Sequence, residues 1–375
     1  MQTTGNPTLR LSSTTSSMLD LIRALSAQAV LFGHCISFLG IFPWLQPPSA
    51  PYMQNLGVVV FFLLSGLLIP YTVVGNLARG GYSWRHFFID RFARIYSGYI
   101  PGLLFIFLID FISIKISPND YDYYNAWGWG TFIANLFMLQ DNPLMVWASQ
   151  SSHALISWIP SFTSFGSGRP LWTLAIEWWI YLFFGWIALG TNTFTKNPVR
   201  FLFALAFFAC IPVYNSVGGR GNGLMWVWLT GVVIFEALRK GPLPNIWFRF
   251  SIPISGFFIL LAAWRFRVTR QEYDLILGLL LACGLFFIIT WSQSTRFSFP
   301  VIFQKTIRIA AGYSLTLYLV HYSIAVFLLP HLDSISPVAA LVAIVFFSNL
   351  VALFIALPTE MQHRKLALKL RSVFA

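Results

Sequence analysis

Long apolar runs recur along this chain, at about residues 18–40, 54–75, 96–115, 171–190, 199–216, 223–238, 250–267, 274–292, 308–329 and 337–357. Each is near the roughly 20 residues that a helix needs to cross the hydrocarbon core. The pattern predicts an all-α, polytopic membrane helix bundle of about ten transmembrane helices. A further stretch, 129–147, is shorter and is interrupted by Asn135, Gln140 and Asp141. It is read as re-entrant or lying on the outer side.

Positive charge sets the sidedness. With the N-terminus in the cytoplasm and 129–147 not crossing, twelve of the sixteen Lys and Arg beyond residue 170 fall inside. Four, Arg220, Arg265, Arg267 and Arg270, fall outside. Counting the stretch as a crossing inverts the ratio, against the positive-inside tendency. Both termini are therefore expected in the cytoplasm. The outer trio Arg265, Arg267 and Arg270 is the exception, read as snorkelling side chains or as a site for an acidic external substrate.

Composition agrees. The chain is 57% hydrophobic and only 10% charged, with a mean hydropathy of +0.70, whereas a soluble domain of this size carries far more surface charge. Three regions are expected: a polar cytoplasmic segment over 1–17, a transmembrane domain over 18–357, and a basic cytoplasmic tail over 358–375. No cleavable signal peptide is read at the start. The net charge of +12 is assigned to inner loops, with membrane lipid and not nucleic acid as the partner. Cys35, Cys210 and Cys283 have no ligand-like spacing and are expected to form neither disulfides nor a metal site.

Ionisable groups inside the spans carry the candidate chemistry, because such groups are costly in lipid and mark functional interiors. Arg23 and His34 are eleven residues apart in the first span, which returns them to within about 20° of one helical face, about 16 Å apart along the axis. Glu177 lies six residues into a span entered from outside, and His34 six residues before the outer end of its own. Both are thus about 9 Å below the outer boundary. His321, thirteen residues into an outward-running span, falls about 20 Å above the inner one. Three titratable groups from three helices share one level. A polar staple, or an ion pair such as Arg23 with Asp20 one turn away, is the plain alternative for each. Asp110 and Glu236 are read as interfacial.

Five stretches together resemble membrane acyltransferase family 3, over most of the chain from Leu19 to about Pro358. They are Leu19-Asp20-Leu21-Ile22-Arg23-Ala24 with His34 following; Gly57 to Gly66, ending in Ser65-Gly66; Arg91-Phe92-Ala93-Arg94-Ile95-Tyr96; Leu171-Trp172-Thr173-Leu174-Ala175-Ile176-Glu177 with Tyr181 following; and Tyr313 to His321. Three positions depart from the pattern: Trp178 replaces a second acidic residue, a proline is displaced to Pro101, and Pro358-Thr359-Glu360 reverses the usual order. The last weakens any role for Glu360.

The resemblance implies an O-acyltransferase, with acyl-CoA (acetyl-CoA) as donor, no metal, and the hydroxyl of a carbohydrate as acceptor. An exported or lipid-linked polysaccharide is expected, with polysaccharide synthesis or export machinery as partner, in a multi-pass protein of the bacterial inner membrane. His34 is expected as general base, tuned by Glu177, with Arg23 holding the donor or the developing negative charge. Arg85, Arg91, Arg94 and Arg23 are expected to face the coenzyme phosphates. His321, Tyr318, Trp172 and Asp20 are expected near the substrates. The competing class is a proton-coupled transporter or flippase that uses His34, Glu177 and His321 as a relay. A third is a non-catalytic assembly protein.

Overall fold

The computed structural model describes residues 10–153, 155–240, 245–269 and 271–373; Arg270 lies outside them. Among the described residues there is no strand, and fifteen α-helices follow in order. They are α1 (Ser13–Leu39), α2 (Met53–Leu77), α3 (Trp84–Ile116), α4 (Trp129–Leu136), α5 (Pro143–Ser149), α6 (Leu171–Leu189), α7 (Thr191–Lys196) and α8 (Pro198–Val217). Then come α9 (Leu224–Arg239), α10 (Asn245–Val268), α11 (Leu275–Ser294), α12 (Val301–Gly312), α13 (Ser314–Leu328), α14 (Pro337–Ala356) and α15 (His363–Val373). Several starts are written locally. Asn142, Asn197 and Ser336 each cap a helix whose first residue is proline (Pro143, Pro198, Pro337), the pairing that satisfies free N–H groups with the least strain.

Nine of the described segments are long and apolar enough to cross a membrane, so this is a multi-pass integral membrane protein. Their outer faces stay apolar: on α14, Val338, Val342 and Phe346 are exposed at four-residue spacing, which suits lipid and not water. The expected crossing at 223–238 is α9, whose 16 residues span only about 24 Å. Gly223 precedes it at φ +101, where an added Cβ would lie 2.2 Å from the Tyr273 carbonyl oxygen. The expected span 308–329 is two helices, broken at Tyr313 between α12 and α13. The 129–147 stretch is α4, a break, and α5, neither long enough to cross.

The chain divides into two compact units. The first gathers the chain up to Ala29, Pro43–Tyr82 and Gly223–Ala311. Here α2 and α9 approach through Ser65-Gly66: a Cβ on Gly66 would lie 1.9 Å from the Trp228 carbonyl oxygen, and one on Gly231 would lie 2.3 Å from that of Leu63. Trp228 Nε1 donates to Ser65 Oγ at 3.1 Å. Small residues allow this backbone contact. Gly66→Ala is therefore expected to cost about 1–3 kcal/mol by overpacking, read as a lower melting temperature in detergent. Gly75→Ala, which meets open space, should be neutral or stabilising. In the same unit Asp274 caps α11 and pairs with Arg265. Burial works against its charge, and the guanidinium with the Leu277 and Ile276 N–H groups outweighs that, holding its carboxyl below the usual range. Arg265 thus has a partner within the chain.

The second unit holds Val30–Phe42, Ser83–Asn222 and Gly312–Ala375. Its spine is α3, 33 residues long, against which α13 packs where Gly98 and Gly102 leave room for Leu315 and Leu319. The tail helix α15 docks on α3 through Arg371 and Asp90, 2.6 Å apart. The α4–α5 segment is drawn inward by polar side chains. Asn135 donates to the Thr131 and Thr163 carbonyls and accepts from Phe165 N–H. Gln140 donates to the Leu171 carbonyl, and Tyr99 and Trp179 donate to the Asn135 and Met138 carbonyls. Asn135 and Gln140, which interrupt the apolar run, thus tie it to the backbone of 163–171, while Tyr99 and Trp179 satisfy carbonyls of its own irregular backbone.

Candidate active site

Within the second unit the last turns of α1 and the middle of α13 bring His34 and His321 together. Their ring centroids are 5.2 Å apart, with planes inclined by 35°. His321 is fully buried and His34 half-buried. Aromatic rings wall the pair. Tyr322 meets His34 edge-on at 5.1 Å and Phe38 at 4.9 Å, and Tyr318 lies 6.2 Å from His321. The Tyr322 hydroxyl is 3.2 Å from that of Tyr123, in the loop after α3. Two imidazoles inside an apolar shell, with a hydroxyl pair at the edge, provide a proton acceptor shielded from water.

The helix α6 supplies the next layer. Tyr181 donates to Glu177 Oε1 one turn away. Thr173 donates to the Pro170 carbonyl, so the short contact between Thr173 Oγ1 and the Tyr318 hydroxyl has tyrosine as donor. Arg220 stacks on the buried Trp172 ring at 4.6 Å and pairs with Asp141 at 2.9 Å. Tyr318, Trp172 and Glu177, predicted separately, thus share one neighbourhood with Arg220, a loop cation to which the sequence reading gave no role.

Asp110, read as interfacial from its place near a span end, is enclosed by protein. It is 1% exposed and accepts from Ser167 N–H at 2.8 Å and from the Ser167 hydroxyl. Ser167 Oγ lies 2.7 Å from Ser323 Oγ, two residues beyond His321. Gly166, at φ +51, has no room for a Cβ because Asp110 Oδ2 would be 2.1 Å from it. Burial, and then the neighbouring Asp110 carboxylate, push the Tyr121 hydroxyl up from its ordinary value. The network ties α3, the 164–169 loop and the His321 helix together. Asp110→Ala would leave the buried Ser167 N–H bare, at about 1–3 kcal/mol, while the Ser167 hydroxyl keeps Ser323. Asp110→Asn, which keeps one acceptor, should lose less on thermal melting.

At the other end of α3, Arg94 Nη1 donates to Glu360 Oε1 at 3.0 Å. Glu360 is fully buried and its Oε2 accepts from Thr316 N–H and Oγ1 at 2.9 and 2.8 Å. The residue whose role the reversed Pro-Thr-Glu order weakened therefore caps the restarted α13. Arg91, three residues earlier, lies over the Phe87 ring at 5.9 Å with a buried Nε that has no partner, and Arg85 is exposed. Arg23 and Asp20 belong to the first unit, where they pair at 3.4 Å. Glu236 pairs with Arg239 and is 43% exposed. Among the described residues no group of three His, Cys, Asp or Glu is assembled to hold a metal ion.

Tyr322, Ser323, Ser167 and Arg220 were missed because each matters through a partner remote in sequence. Only the adjacency of Tyr322 to His321 was visible beforehand.

No curated protein and no solved structure matches the chain. A family model described as an acyltransferase domain matches residues 17–357, a range that includes the imidazole pair, Arg23, Arg91, Arg94 and Glu177. The chain belongs to acyltransferase family 3 and is a membrane acyltransferase.

Proposed function

We propose that this protein moves an acyl group, acetyl in the simplest case, from acyl-CoA to a hydroxyl of an exported or lipid-linked carbohydrate, with His34 as general base. The observation that carries this reading is the His34–His321 pair, one ring fully buried and the other half-buried, inside a domain of acyltransferase type. A hydroxyl becomes a competent nucleophile only as it loses its proton, and a neutral imidazole in an apolar shell takes that proton near neutral pH. The oxygen then bonds to the thioester carbonyl carbon. The tetrahedral intermediate collapses with loss of the thiolate, which recovers the proton from the imidazolium.

Arg91, with Arg85 and Arg94 on the same helix, is placed on the donor side, where guanidinium groups meet coenzyme phosphates; Arg23 adds charge to the donor or oxyanion. In this reading that end of α3 faces the cytoplasm, and the Tyr123–Tyr322 edge receives the acceptor. Glu177, held by Tyr181, tunes the charge around His34. The membrane is the bacterial inner membrane, beside polysaccharide synthesis or export machinery.

Mass spectrometry of envelope glycans from a strain lacking the protein tests this reading in the cell. Loss of O-acyl groups from one glycan, restored by the wild-type gene and not by His34→Ala, is the expected result. Unchanged acylation of every glycan would contradict it.

A further inference from the structure

His321 has one ring nitrogen accounted for and one bare. Its Nδ1 lies 3.0 Å from the Leu317 carbonyl oxygen, which can only accept, so Nδ1 carries the proton. In the neutral ring Nε2 is then a lone-pair acceptor. It is buried and has no hydrogen-bond partner, and buried acceptors are ordinarily satisfied. The polar ring packed beside it is His34, at 5.2 Å between centroids. Two imidazoles joined end to end by an N–H···N bond of about 2.9 Å have ring centres roughly 5 Å apart. The other neighbours, Tyr322 at the edge of His34 and Tyr318 beside His321, enclose the pair.

We propose that His321 Nε2, unpartnered in this structure, is the acceptor that takes an N–H of His34 when the His34 ring turns end-on to it, which makes His321 a positioning residue that fixes the tautomer of the base. The Leu317 carbonyl holds the His321 Nδ1 proton, His321 Nε2 holds the His34 proton, and the remaining His34 nitrogen presents its lone pair to the acceptor hydroxyl. An acyl-transfer base is commonly oriented by a carboxylate. Here a neutral ring does so, avoiding a second buried charge. Through the reaction the proton shared by the two rings stays in place. Only the hydroxyl proton moves, onto the free His34 nitrogen and then to the leaving thiolate as the C–S bond breaks. This inference rests on the reading of His34 as base and assigns how that base is held.

The test combines nitrogen NMR of protein labelled with ¹⁵N-histidine in nanodiscs with steady-state acyl transfer from acetyl-CoA. It compares the wild type, His321→Phe, which fills the space without an acceptor, and His321→Gln, which keeps one. Expected in the wild type are His321 protonated on Nδ1 only and His34 in a single tautomer. In His321→Phe both His34 tautomers should appear, and kcat should fall at least about 100-fold with each KM within threefold. His321→Gln should recover at least tenfold of that loss and restore a single His34 tautomer. A wild-type His321 protonated on Nε2 overturns the proposal, as does a His321→Phe protein with unaltered His34 tautomer and kcat. If His321→Phe does not insert, a His34 tautomer mixture in His321→Gln overturns it. Should the wild type transfer no acyl group, the catalytic reading falls while the tautomer measurements still decide this one.

Discussion

Replacing His34 with alanine is expected to lower acyl transfer by about 10²–10⁴-fold, the usual contribution of a positioned general base. The protein should remain in the membrane at normal abundance. The ring is half-buried and packs edge-on against Tyr322, so its loss removes aromatic contact worth about 0.5–1.5 kcal/mol, too little to unfold a bundle of this size. The loss should fall on kcat, with the KM for acyl-CoA nearly unchanged, because a base acts in the transition state and not in donor binding. His34→Gln, which keeps polarity without a titratable nitrogen, should be equally inactive. Steady-state rates at matched protein levels check both. A variant within threefold of wild type would remove His34 from the chemistry.

Removing Arg94 is expected to destabilise the protein by about 3–5 kcal/mol, because it strips the cation from a fully buried carboxylate. Glu360 then keeps only its two bonds from Thr316. Arg94 is 25% exposed, so Glu360→Gln, which leaves a guanidinium that can reach solvent, should cost less. Replacing both with leucine should cost less than the sum of the single changes. Thermal melting of the four proteins measures this. The same series separates two roles for Arg94. A coenzyme contact raises the KM for acyl-CoA and leaves the melting temperature unmoved, whereas the buried pair lowers the melting temperature first.

These two sites show what was legible in the sequence. The helices came from apolar runs of bilayer length, and the break in 129–147 from Asn135, Gln140 and Asp141, because both signals are local. His34 and His321 were placed at one level by counting residues at 1.5 Å each, although the helix bearing His321 restarts at Ser314 and not near Arg308. That the two rings face each other depends on helix rotation, which counting does not supply.

Asp110 and Glu360 were misjudged for a related reason. Asp110 was read from its place near a span end and Glu360 from its reversed order with Pro358, yet Asp110 finds Ser167 57 residues away, and Glu360 finds Thr316 and Arg94 at separations of 44 and 266. Charge in a buried position is set by such partners, and no local window contains them. The cations expected on the outer side divide similarly, with Arg265 neutralised by Asp274 nine residues on and Arg220 by Asp141 79 residues back.

The central claim is that the imidazole pair serves acyl transfer to a hydroxyl. Its most direct test is incubation of purified protein in nanodiscs with isotopically labelled acetyl-CoA and an envelope oligosaccharide, followed by mass spectrometry of the sugar. Labelled acetyl on a sugar oxygen with wild-type protein, and none with His34→Gln, is the predicted result. Equal labelling by both proteins, or movement of the oligosaccharide across the bilayer with no labelled sugar formed, would contradict it.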